Sequence, residues 1–183
     1  MDAIEMLKER RSVRHYKDEK VSHELMKEII EVARFAPSWA NLQVARYTVI
    51  DDAQKIAKIA DVGVKGFAYN VKTLKNAKGV MVLSFVKGKS GKFDPDADYV
   101  TSKGNVWEVF DAGIACQTFC LAAHAKGVGT CIFGVIDDEV IAEIADLPKD
   151  ETVAAIITFG MMTQQETKAT PRLDVEQILR FAD

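Results

Sequence analysis

An α+β layered domain is predicted by three features of the sequence: helical segments outnumber strands, the two types do not alternate in a strict βαβ rhythm, and one central helix is apolar on nearly every side. The fold expected is a central mixed or antiparallel sheet flanked by helices. At 183 residues, 48% of them hydrophobic, the chain is long enough for one substantial core, and residues 1–183 are expected to form a single domain. Charged residues make up 28% of the chain and the formal charge is -3, without the basic excess that would suggest a general affinity for nucleic acid.

The elements follow from local pattern. Asp2-Ala3-Ile4-Glu5 has the D-x-x-E form of a helix start and predicts a short helix to about Glu9. Ser22 caps a second helix whose apolar positions Leu25, Ile29, Val32, Ala33 and Ala36 recur at helical spacing, with Pro37 as its stop. Strands are expected over Val44 to Ile50 and Val80 to Val86, which are rich in β-branched and aromatic residues, with a helix over Ala53 to Ala60 between them. The Lys-, Gly-, Ser- and Asp-rich stretch from Lys87 to Lys103, which contains Pro95, lacks a period and is expected to be a loop or a mobile lid.

Trp107 to Ala125 has the pattern of a helix buried on most sides, which in so small a protein suggests a subunit interface. A strand over Thr130 to Phe133, a helix over Asp138 to Ala145 stopped near Pro148, and a buried strand over Thr152 to Phe159 follow. A final amphipathic segment is expected over Val175 to Phe181. The chain start lacks the pattern of a secretory signal and no stretch has the uninterrupted apolar length of a membrane span, so a cytoplasmic protein without membrane contact is expected. Cys116, Cys120 and Cys131 form no CxxC pair and are expected to be buried free thiols.

Two clusters carry chemistry. In Arg10-Arg11-Ser12-Val13-Arg14, strand alternation turns Arg10, Ser12 and Arg14 one way and Arg11 and Val13 the other. Guanidinium forks and a hydroxyl suit a phosphate; a solvated basic turn at a helix C-terminus would have the same composition. In Ala36-Pro37-Ser38-Trp39-Ala40-Asn41-Leu42-Gln43 the residues are those of an ordinary turn, yet the amides of Asn41 and Gln43 can recognise a heterocyclic edge. Gly88-Lys89-Ser90 is not a phosphate-binding P-loop, since Leu83 stands where its first glycine is needed. His15, His23 and His124 are scattered, and no metal site is expected.

The pattern R-R-S-x-R-x-Y, then a helix, then A-P-S-x-x-N-x-Q and a strand, resembles the flavin-dependent nitroreductase family. The likeness continues through Asp111-Ala112-Gly113, Leu121-Ala122-Ala123, Lys126 to Gly134, Thr158-Phe159-Gly160 and Pro171-Arg172, and so spans essentially the whole chain. The resemblance implies FMN as cofactor, NADH or NADPH as electron donor, and a homodimer. Arg10, Arg11, Ser12 and Arg14, with Arg172, would hold the FMN phosphate and ribityl chain, and Pro37, Ser38 and Asn41 would approach the flavin of the partner subunit. Asn70 matches a family asparagine near the ring, and Gly134 sits where a backbone amide faces the flavin.

Phe67, Tyr69, Phe93 and Tyr99, in two irregular segments, offer flat surfaces to a substrate such as a nitroaromatic or a quinone. No catalytic side chain is expected, because the flavin performs the chemistry in alternating half-reactions. A flavin carrier without nicotinamide turnover, and a family enzyme that dehalogenates or dehydrogenates, fit the same motifs. Trp39, where a small residue is usual, and Val44-Ala45 after Gln43, where the family often has Pro-Trp, depart from the pattern and leave acceptor specificity open.

Overall fold

The computed structural model describes residues 2–94, 96–163 and 168–182, so Pro95 lies outside the described residues. Four strands, β1 (Ala45–Ile50), β2 (Gly79–Val86), β3 (Val128–Phe133) and β4 (Glu151–Met161), form one sheet in the order β1-β2-β4-β3, and every neighbouring pair is antiparallel. All eight residues of β2 are buried, as expected for an inner strand with helices on both faces.

Alternation along the strands divides the core in two. Met81, Leu83, Phe85, Ile157 and Phe159 face α2 (His23–Ala33) and α5 (Val106–Ala125). Val80, Val82, Val153 and Ile156 face the other side, where α3 (Ala53–Lys58), α4 (Ala68–Leu74) and α6 (Asp138–Ile144) pack. A register shift between Leu83 and Ser84 places one extra residue on β4 without inverting either face. The α+β expectation is met, with the sheet antiparallel rather than mixed.

α1 (Ala3–Glu9) has the expected capping box: the Asp2 carboxylate accepts from the amides of Ile4 and Glu5, and Glu5 accepts from the Asp2 amide. α2 starts at Ser22 as expected but ends at Ala33, ahead of Pro37. Phe35 N–H bonds Val32 O and Ala36 N–H bonds Ala33 O, a tightening of the last turn that ends the helix first. Ile29 and Ala33 are fully buried, whereas Val32 is 51% exposed.

Three further differences concern helices. α3 runs into a wider turn over Ile59–Gly63, and α4 was not expected at all. Tyr69 lies within α4 and so is not in an irregular segment, whereas Phe67 stands just before the helix as its N-terminal cap. In the segment expected to be amphipathic over Val175 to Phe181, only α7 (Val175–Ile178) is helical, and none of its residues is buried.

α5 is long and apolar enough to cross a membrane by length and composition, but Glu108 and Asp111 interrupt it and half of that stretch is buried inside the fold, as in the core helix of a globular domain. Its buried face includes Phe119, Cys116 and Cys120, while Val106, Val109 and Phe110 are each 55% exposed. Cys116, Cys120 and Cys131 are free and buried.

Candidate functional site

The basic cluster leaves α1 as an extended arm lying across the end of the sheet. Val13 N–H bonds the carbonyl of Thr130 on β3 at 2.8 Å, and Ser12 pairs with Thr130 in a parallel bridge. Four residues on, Tyr16 pairs with Met162, and its hydroxyl bonds Val13 O at 2.7 Å and Thr158 Oγ1 at 2.9 Å. Burial raises the Tyr16 phenol well above its ordinary range and keeps it protonated. The arm is thus fastened on both sides of Arg14.

Beside it lies a groove of about 860 Å³ lined by Arg11, Ser12, Arg14, His15, His124 and Lys168, together with Glu9, Val13, Met162, Thr163 and Ala169. Its cations outnumber its single carboxylate, so it suits an anion. Arg11, not Arg10, is among the lining residues. Arg10 is still the C-terminal cap of α1, its amide bonded to Met6 O, so strand alternation begins only after it. The Arg11 guanidinium turns back to the carbonyls of Lys8 and Arg10, and the Arg14 guanidinium bonds Ser12 O at 3.2 Å.

Lys168, His15 and His124 are lining residues that the motif reading missed. In the sequence His15 and His124 stand only as scattered histidines with no metal-binding spacing. The Nε2 of His124 is buried and has no hydrogen-bond partner among the described residues. Burial, reinforced by the charge of Arg10, holds its ring below the usual histidine range.

Gly134 follows β3, and a Cβ built on it would meet no atom within 4 Å, so the space beside its backbone is open. The same loop is held from α4, where Asn70, 8% exposed, donates from Nδ2 to Val135 O at 3.3 Å. Two expected residues from distant parts of the chain are therefore brought together.

Pro37 and Ser38 line a different cavity, of about 200 Å³, between α2, β1 and Asp111. The Ser38 hydroxyl accepts from Gln43 N–H at 2.8 Å and closes the loop. Ala40, Asn41 and Gln43 have φ of 47°, 55° and 51°, a left-handed run that non-glycine residues adopt only when the surroundings impose it. Arg172 is exposed and bonds locally, to Thr170 O at 3.0 Å and Pro171 O at 3.2 Å. Of the four aromatic candidates, Phe67 and Tyr69 pair at 5.7 Å between centroids, Phe93 pairs with Trp39 at 4.9 Å, and Tyr99 lies under Lys92 Nζ at 4.6 Å. Among the described residues no group of three or more His, Cys, Asp or Glu side chains is placed to hold a metal.

The nitroreductase family model matches residues 7–161, from the end of α1 through β4. The chain belongs to the nitroreductase family. An FMN reductase [NAD(P)H] of Bacillus subtilis is 27% identical over 97% of this chain and 72% of its own. An FMN-dependent nitroreductase structure from Clostridium difficile is 30% identical, covers 98% of this chain and 99% of its own, and superposes with a TM-score of 0.75. A structure in complex with FMN from Exiguobacterium sibiricum superposes with a TM-score of 0.82 at 24% identity, over 100% of this chain and 98% of its own. In this nitroreductase-family chain, the groove and the 36–43 loop thus form two separate concave surfaces of one protomer.

Proposed function

We propose that this chain is an NAD(P)H-dependent FMN oxidoreductase that works as a homodimer and passes reducing equivalents to a small electron-poor acceptor such as a nitroaromatic or a quinone. The observation that carries the reading is the cationic groove beside a pinned arm. Its residues fit a phosphate-bearing group: Arg11, Arg14 and Lys168 supply charge, Ser12 a hydroxyl, and His124, whose Nε2 has no hydrogen-bond partner among the described residues, lines the same groove.

Bound FMN would supply the redox chemistry, hydride exchange between the nicotinamide and the acceptor. The chain's part is to hold and orient. Arg14, Ser12 and Arg11, with Arg10 beside them in the motif and Arg172 joining from the C-terminal Pro171-Arg172 motif, would hold the phosphate and ribityl chain. Gly134 would let its backbone amide approach the ring where a side chain would intrude. Asn70 would fix the height of that loop through Val135.

Pro37, Ser38 and Asn41 would complete the site of a second copy: Pro37 and Ser38 line a separate surface of their own protomer, and Asn41 is exposed on the same loop. The exposed Val106, Val109 and Phe110 of α5, with Phe35 at 75% exposure, supply apolar surface for that association. Phe67, Tyr69, Phe93 and Tyr99 would face the nicotinamide or the acceptor. One domain, residues 1–183, would carry all of this.

The test is the visible spectrum of purified protein without air. Flavin bands that bleach with NADH or NADPH and return with a nitroaromatic or quinone are expected. Bands that persist with both nucleotides would leave a flavin carrier, and a protein that takes up no FMN would overturn the reading.

A further inference from the structure

Asp111 lies in the second turn of α5, is 2% exposed, and touches two loops at once. Its Oδ1 accepts the backbone N–H of Trp39 at 3.0 Å, and its Oδ2 accepts the Ser90 hydroxyl at 2.6 Å. A carboxylate this deeply buried requires donors on both oxygens, and here each oxygen is served by a different loop. Neither loop leaves without stripping the carboxylate.

The same two loops meet at the surface. The Trp39 and Phe93 rings lie 4.9 Å apart, with Phe93 80% exposed. Trp39 is half-buried, so burial alone does not hold Phe93 against it. Glu108, one turn earlier on α5, accepts the amides of Gly88 at 2.5 Å and Lys89 at 3.1 Å, which fixes the root of the second loop independently. The first loop contains the left-handed residues Ala40, Asn41 and Gln43, a form that it does not keep unaided.

We infer that Asp111 is a positioning residue which locks the Ser90 loop to the Trp39 loop, so that Trp39 and Phe93 form one aromatic wall selecting flat π-acceptors over compact ones. The selection part rests on the flavin-reductase reading above; the coupling of the loops does not. Trp39 is one of the departures from the family pattern, and the structure gives it this second ring as partner.

The experiment uses the flavin-loaded protein carrying Ser90→Ala, which removes one bond and leaves Asp111 its contact with Trp39. Amide hydrogen exchange at Trp39 is expected to rise about tenfold, the weight of one hydrogen bond to a charged group, together with exchange in the Ser90 loop. KM for a naphthoquinone rises by a similar factor at nearly constant kcat and turnover with ferricyanide barely moves, while the melting temperature falls by a few degrees, as loss of one donor to a buried carboxylate requires. Ser90→Thr, which restores the hydroxyl, reverses both effects. An unchanged Trp39 amide overturns the coupling, whether or not the protein proves to be a reductase. A coupled Trp39 amide with equal losses for naphthoquinone and ferricyanide overturns the selection role, and absence of flavin turnover overturns the parent reading alone.

Discussion

Val13 lies directly over Gly129: a Cβ built on the glycine would stand 2.8 Å from the valine Cβ and as close to one of its methyl carbons. This contact and the Val13 N–H to Thr130 O bond hold the arm bearing Ser12 and Arg14 against β3. Gly160 does the same under Tyr16, where a Cβ would come within 2.7 Å of the ring.

Replacing Gly129 by Val should therefore lift the arm. Overpacking of this kind costs about 1–3 kcal/mol. Urea denaturation should show that loss, and FMN affinity should fall by more than stability alone accounts for, because Arg14 moves with the arm. A destabilised variant with undiminished FMN affinity would separate the arm from the cofactor.

Arg14→Ala tests the charge directly. Truncating one partner of a charge-assisted phosphate contact costs about 2 kcal/mol at the exposed end of the observed range. Arg14 is exposed, so the melting temperature of the flavin-free protein should hardly change. FMN dissociation constants from fluorescence titration should weaken, and wild-type affinity should fall with added salt more steeply than that of the variant.

The strands were legible in the sequence to within a few residues, because β-branched runs bounded by polar segments are a local signal. The α1 cap and the Ser22 cap were legible for the same reason. α4 was not: Phe67 offers no side-chain cap, and Asn70, Thr73 and Leu74 are buried by tertiary contact that no local period announces. Val175 to Phe181 is its converse, an amphipathic pattern of which only Val175–Ile178 is helical, with no buried face to hold more. At the site, the arginine cluster was found but its phase was not, since Arg10 still belongs to the helix. Asp111 was visible as part of the Asp111-Ala112-Gly113 likeness, but not in this role, because its two bonds join it to residues far away in the chain.

Asn70→Leu should act on the loop rather than on the fold. The substitution removes the donor to Val135 O, and one such bond contributes about 1 kcal/mol. The melting temperature should drop slightly. The rate of flavin reduction by NAD(P)H in stopped flow should drop further, because the backbone around Gly134 loses its brace. A rate that follows stability alone would show that Asn70 braces the fold and not the site.

His124 makes the flavin-free protein sensitive to mild acid. Burial first, then the positive charge of Arg10, lowers its pKa from 6.5, with Glu9 opposing and Arg11 assisting. The other ionisable neighbours at the groove are Arg14, His15 and Lys168. A histidine whose folded pKa lies below its unfolded one binds its proton more tightly in the unfolded chain, so its contribution to stability is complete above pH 6.5. That contribution declines as pH falls from 6.5 toward the folded value and is lost below it. Melting temperatures of flavin-free protein should therefore fall between pH 7.5 and 5.5, and those of His124→Gln should fall less over the same interval. Phosphate bound in the groove would offset the arginine charge and ease protonation of the ring, so FMN loading should flatten the wild-type profile. Identical profiles for wild type and His124→Gln would assign the acid sensitivity to other groups.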